Sequence, residues 1–149
     1  SMMKLQKPEI LEVTGRDKNG KEIGFGRVGA LVRPVTLREC AELVKTIFHL
    51  DHVKIFGDLE QVIQRVAISP GSGKSLIPAA VKKRAEVLIT GDIGHHYGID
   101  AVDSNLAIID AGHYGLEHIF ISRMEEFLKK EGKNLQIRTD VIRSPFEII

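Results

Sequence analysis

The amino-acid sequence predicts an α/β domain: a layered, mostly parallel or mixed sheet with helices on both faces. Three observations lead there. Beyond residue 62, short apolar segments alternate with stretches patterned as helices of about ten residues, the order that builds parallel strands joined by crossover helices. Val87-Leu-Ile89 and Leu106-Ala-Ile-Ile109 are uninterrupted apolar runs, as strands buried on both faces should be. With 149 residues, 43% of them hydrophobic, the chain is long enough for one domain with a real core and too short for two ordinary domains. That single domain is expected over residues 23–149. Before it, residues 1–22 read as a tag remnant, Ser1-Met2-Met3, and an irregular polar lead-in.

The totals narrow the function classes. Lysine and arginine number 21 against 20 acidic residues, for a net charge of +1. The basic clusters Lys82-Lys83-Arg84 and Lys129-Lys130 are short and read as solvated helix faces. Neither nucleic acid nor a membrane surface is therefore expected as a partner. A single cysteine, Cys40, excludes an internal disulfide and suits a reducing compartment. No apolar run is long enough to cross a bilayer, so a cytoplasmic location is expected.

In chain order, Gly15-Arg-Asp-Lys-Asn-Gly20 is a turn between two short extended pieces, in a loose lead-in or a hairpin. Gly24-Phe-Gly-Arg-Val-Gly29 has the G-x-G-x-x-G spacing of a dinucleotide-binding turn. That turn must open a helix, whereas Ala30 to Val35 continues extended, so the stretch reads as a glycine loop entering a strand. Thr36, with Glu39 three residues on, forms a capping box and starts a helix to Leu50. Leu37, Ala41, Val44 and Phe48 recur at helical spacing as its buried stripe, with Cys40 packed beside them. His49 and His52 lie at the helix exit, where a cation complements the helix dipole, and carry no catalytic role.

Val53 to Phe56 is a short strand, Gly57-Asp58 a turn, and Val62 to Ile68 a second strand. Ser69-Pro-Gly-Ser-Gly-Lys-Ser75 imitates a nucleotide-binding P-loop but has Ile68 where that loop needs its first glycine. It reads instead as a tight turn into a helix, whose backbone N–H groups could hold an anionic group. A helix from Ser75 to Arg84, a strand Val87 to Ile89, a helix from about Ile93 to Val102 and a strand Leu106 to Ile109 follow. A helix Tyr114 to Lys130 and a strand Leu135 to Val141 complete the pattern. Right-handed crossovers put Asp92 and Asp110 at one sheet edge, where such folds keep their chemistry.

His113 and Glu117 are four residues apart and share one helix face. The stripe continues through Leu116, Phe120, Met124 and Phe127, so this face is expected to pack on the sheet. An imidazole and a carboxylate buried there need a polar partner, and a metal ion, an arginine or ordered water would serve. A histidine with carboxylates at a strand's carboxyl edge suits zinc, iron or manganese. Asp92 and His96, on the neighbouring loop, are placed to orient ligands or transfer protons. His95 and His118 look peripheral.

These residues also carry a resemblance. Thr90-Gly-Asp-Ile-x-x-His96 and Asp110-Ala-Gly-His-Tyr-x-x-Glu117, after Val66-Ala-Ile-Ser-Pro-Gly-Ser-Gly73 and the Gly24 to Gly29 segment, resemble the Nif-three-like dinuclear metal-centre family. Its members are also named GTP cyclohydrolase I type 2 homologs. The likeness runs from about Gly24 to Ile149 and implies the second half of the Nif-three-like fold, the carboxyl-terminal half of a two-part protein. It implies His113 and Glu117 as ligands of a divalent transition metal.

The family's remaining ligands come from a paired-histidine segment ending in proline and a His-Thr-x-x-Asp segment, neither of which occurs here. His95-His96 lies in the Thr-Gly-Asp block and is followed by Tyr97. The resemblance therefore implies completion by an amino-terminal half or another chain, within a homo-oligomer. The implied activity is a metal-dependent hydrolase using metal-activated water on a small, nucleotide-like substrate. The alternative is a non-catalytic interaction or regulatory module with an incomplete metal site. A third class, a nucleotide binder built on Lys74, would lose ATP affinity on Lys74→Ala.

Overall fold

The computed structural model describes residues 3–132, 135–140 and 146. Among them one six-stranded sheet has the order β1-β2-β4-β5-β6-β3. Its centre is parallel: β4 (Val62–Ser72), β5 (Val87–Gly91) and β6 (Ala107–Asp110) run side by side in one direction. Antiparallel strands flank it, the hairpin of β1 (Gln6–Arg16) and β2 (Glu22–Thr36) beyond β4, and β3 (Lys54–Phe56) beyond β6. The sheet is thus mixed, with its parallel part confined to the three central strands.

Alternation along the central strands builds two cores. Val87, Ile89, Ala107 and Ile109 face α1 (Leu37–Phe48), while Leu88 and Ile108 face the layer containing Ala80 and Ala101. Those two alanines belong to α2 (Ile77–Lys82) and α3 (His95–Asp103). Each fully buried Leu, Ile or Val contributes roughly 1.5–3 kcal/mol, so the apolar runs on both faces give the sheet most of its stability.

α1 follows its local code. Thr36 Oγ1 accepts from the Glu39 N–H at 3.1 Å, and the Glu39 carboxylate accepts from the Thr36 N–H at 2.7 Å, a complete capping box. Leu37, Cys40, Ala41, Val44 and Phe48 form the buried face. His49 ends the helix in the left-handed region, with its N–H donating to the Lys45 carbonyl.

Several expectations are corrected. Of the two readings of the polar lead-in the hairpin holds, since residues 6–16 pair along β2 and bury Leu11, and Met3 packs into the core. A boundary at residue 23 would cut this hairpin. The Gly24 to Gly29 loop lies inside β2, where Gly26, at φ 62°, lets the strand bend without leaving the ladder. β4 runs on through Ser72 and absorbs the turn expected at Ser69, after which a 3₁₀ turn, Lys74–Leu76, leads into α2.

The long carboxyl-terminal helix is divided into α4 (His113–Glu117) and α5 (Ile119–Glu131). Leu116 is buried, but α5 has no buried residue, and Phe120 and Phe127 are 60% and 56% exposed. The apolar stripe is real in sequence, but the helix leaves the sheet after its first turn. Residues 135–140 carry no strand, and Val141, the end of the expected one, lies outside the described residues. Among the described residues, no helix is long and apolar enough to cross a membrane.

Two measurements check this packing. Thr36→Ala removes an N-cap and should cost about 1 kcal/mol in urea unfolding. Burial pushes the Cys40 thiol up from 9.0 to about 11, so it should resist thiol reagents until the chain unfolds. Between those values the unfolded chain releases the thiol proton and the folded chain keeps it. Stability therefore falls as pH rises from 9.0 towards about 11, and the decline should be shallower in Cys40→Ala.

Candidate functional site

The site is organised at the carboxyl edge of the central strands, where Thr90 of β5 is in register with Asp110 of β6. The Asp110 side chain is only 6% exposed, yet its charge is well compensated. One carboxylate oxygen accepts from the N–H groups of Asp92 (2.9 Å) and Gly112 (3.1 Å). The other accepts from the Ile93 N–H (2.9 Å) and meets Lys54 Nζ of β3 at 2.9 Å. Hydrogen bonds to a charged group are worth roughly 1.5–3 kcal/mol each. Together they exceed the roughly 1–3 kcal/mol of strain at Asp92, which is held at φ 56°.

The strained turn aims Asp92 at α4. Asp92 Oδ2 lies 3.1 Å from His113 Nδ1, and His113 Nε2 lies 3.1 Å from Glu117 Oε2. A neutral imidazole carries one N–H. With that proton on Nδ1, donated to Asp92, the Nε2 lone pair faces the Glu117 carboxylate and the two can share one cation. The protonated ring would keep the bond to Asp92 and form an ion pair with Glu117.

The wall beside the pair is backbone. Gly71, at φ +76°, approaches so closely that a Cβ there would lie 2.8 Å from Glu117 Oε1 and 3.6 Å from His113 Nε2. Thr90 Oγ1 donates to the Gly71 carbonyl at 3.2 Å and holds this wall against β5.

His113 and Glu117 are brought together as their spacing requires, but the expected burial is corrected: their side chains are 49% and 48% exposed. Leu116 alone turns α4 onto the sheet, leaving the polar pair at the sheet edge. No desolvation cost therefore demands a partner for it. Asp92 joins the line, whereas His96 is exposed on α3 with its ring edge-on to His95 at 5.5 Å. His118 turns its Nδ1 to the Tyr114 carbonyl at 3.3 Å. Lys74 lies over the Tyr97 ring, 5.6 Å from its centroid.

Among the described residues, no group of three or more His, Cys, Asp and Glu is arranged to hold a metal ion. The geometry gives the reason: Asp92 and Glu117 sit on opposite nitrogens of His113, so only His113 Nε2 and Glu117 can face one ion. Those two fit half of a transition-metal site in donor chemistry, and a tight site needs more. On the Asp92 side a cleft of about 650 Å³ opens, bordered by Lys54, His52, Tyr114 and His118 among others. Sequence reasoning missed Lys54, and it missed Gly71 as a wall, although the Ser-Pro-Gly-Ser-Gly run marked an unusual backbone there. Gly71→Ala should displace Glu117 and cost more than about 1 kcal/mol in urea unfolding, since it adds both a contact and a strained φ.

The family model described as Duf34/NIF3 (NGG1p interacting factor 3) matches residues 1–147. A GTP cyclohydrolase 1 type 2 homolog of Streptococcus pneumoniae is 40% identical over 134 residues, covering 86% of this chain and 50% of the relative. One of the same name from Halalkalibacterium halodurans is 36% identical over 125 residues, covering 84% and 33%. The crystal structure of a Bacillus cereus protein related to NIF3 superposes with a TM-score of 0.76 at 28% identity, over 87% of this chain and 37% of that one. The chain thus spans about a third to a half of the length of these relatives. In sequence, in fold and in extent it corresponds to part of a longer pattern, and it belongs to the Duf34/NIF3 family.

Proposed function

We propose that this chain supplies His113 and Glu117 as one half of a dinuclear metal site, corresponding to the carboxyl-terminal half of its longer relatives. The observation that carries this reading is the convergence of His113 Nε2 and Glu117 Oε2 at 3.1 Å, with Asp92 on the ring's other nitrogen. The remaining ligands come from an amino-terminal segment or another chain, within a homo-oligomer in the cytoplasm. The completed centre belongs to a hydrolase acting on a small substrate, and the relatives' name, GTP cyclohydrolase 1 type 2 homolog, favours a nucleotide-like one.

Zinc, manganese or iron at such a site supplies a Lewis acid and a water of lowered pKa. The chain's own groups do the rest. His113 and Glu117 bind, Asp92 orients the imidazole, and His96 is the group available for proton transfer from α3. The cleft beside Asp92, at about 650 Å³, is within the range of small-molecule pockets. A second reading, a non-catalytic interaction or regulatory module, draws its support from the lack of a third ligand among the described residues.

Calorimetric titration of the chain with zinc, manganese and iron(II), followed by elemental analysis, decides between them. Weak binding of one ion per chain, abolished by His113→Ala and by Glu117→Gln and untouched by Lys74→Ala, is expected. Absence of any His113-dependent binding would overturn the metal reading for this chain.

A further inference from the structure

Resting on the half-site reading above, we propose that Asp110 and Lys54 are positioning residues. Together they fix the turn after β5 so that Asp92 holds the His113 proton on Nδ1 and leaves Nε2 facing Glu117. The contacts form one continuous path. Lys54 Nζ, reaching in from edge strand β3, meets Asp110 Oδ2 at 2.9 Å and the Ile93 carbonyl at 2.8 Å. Asp110 in turn accepts from the N–H groups of Asp92, Ile93 and Gly112.

The two backbone segments gathered in this way are those that carry the facing side chains: Asp92 itself, and His113 directly after Gly112. Asp92, at φ 56°, is held in a left-handed conformation from which a non-glycine residue would relax if unsupported, whereas Gly112 takes φ 70° at no steric cost. One carboxylate therefore sets the separation of Asp92 from His113. The partner of one ring nitrogen decides which nitrogen carries the proton, so the same carboxylate sets the tautomer. The ammonium of Lys54 holds the Asp110 carboxylate turned into the backbone and ties down the Ile93 carbonyl, although Lys54 touches neither His113 nor Glu117 in this path.

A merely structural Asp110 would lower stability without changing the tautomer of a variant that still folds. The test is long-range proton–nitrogen NMR of the metal-free, nitrogen-labelled chain at about pH 9, well above the ordinary imidazole value of about 6.5. His113→Gln assigns the His113 signals. In the wild type the proton is expected on Nδ1. In Asp110→Asn and Lys54→Met it should move towards Nε2, the nitrogen that free histidine protonates preferentially. Asp51→Asn, an acidic neighbour on the cleft outside this path, should leave it in place.

Zinc affinity should fall roughly 10- to 100-fold in Asp110→Asn, as for other groups that orient metal-binding histidines. If Asp110→Asn fails to fold, Lys54→Met, which keeps all three backbone bonds to Asp110, carries the test. A wild-type proton on Nε2, or retention of the Nδ1–H form in whichever variant folds, overturns the proposal. An intact Nδ1–H preference that these variants abolish, in a chain that binds no zinc, would instead uphold the positioning role and overturn the metal reading.

Discussion

A buried carboxylate with three backbone N–H groups and an ammonium around it joins this sheet to its surface chemistry. Asp110 closes β6, reaches across to the turn after β5 and secures the start of α4. Without it, the Asp92 turn would lose two of the backbone bonds that offset its left-handed conformation, and α4 would lose its anchor at Gly112, the residue before the helix. The apolar cores on either face set where the strands lie. The polar cluster at their carboxyl ends sets how the two following loops meet. Fold and site are therefore coupled through one side chain, which itself stands behind the pair facing outward.

What could be read from the sequence was what local chemistry dictates. The Thr36–Glu39 capping box, the apolar runs of β5 and β6, and the pairing of His113 with Glu117 all depend on residues within four positions of one another or on unbroken apolar character. The β1–β2 hairpin was legible only as one of two alternatives, because β1 is solvated over most of its length, burying Leu11 but little else, so it lacks the alternation that marks a strand. The Lys54–Asp110 pair was hidden because it depends on β3 joining the far edge of the sheet beside β6. The inward face read through Phe120 and Phe127 went astray because periodicity identifies an apolar stripe but not the point where the helix parts from the sheet.

The glycine motifs illustrate a related point. Of two stretches with the spacing of nucleotide-binding turns, one lies within strand β2, and the other begins in β4 and ends in the 3₁₀ turn Lys74–Leu76. In β4 the glycine's role is steric, since Gly71 leaves space that Glu117 and His113 use. A motif defined by glycines reports that backbone must come close to something, and the neighbours decide what that is. Here the neighbour is a carboxylate–imidazole pair, and the phosphate reading finds no support in the placement of Lys74 over Tyr97.

The half-open setting of His113 and Glu117 bears on when an ion would be selected. A site enclosed by one chain chooses its metal as that chain folds, from whatever pool surrounds the ribosome product. On the half-site reading, a pair aligned by Asp92 and Gly71 with close to half of its surface in solvent would exchange ions freely until other ligands cover it. On the half-site reading, commitment to one metal then belongs to assembly, and the partner surface becomes the gatekeeper of which ion stays.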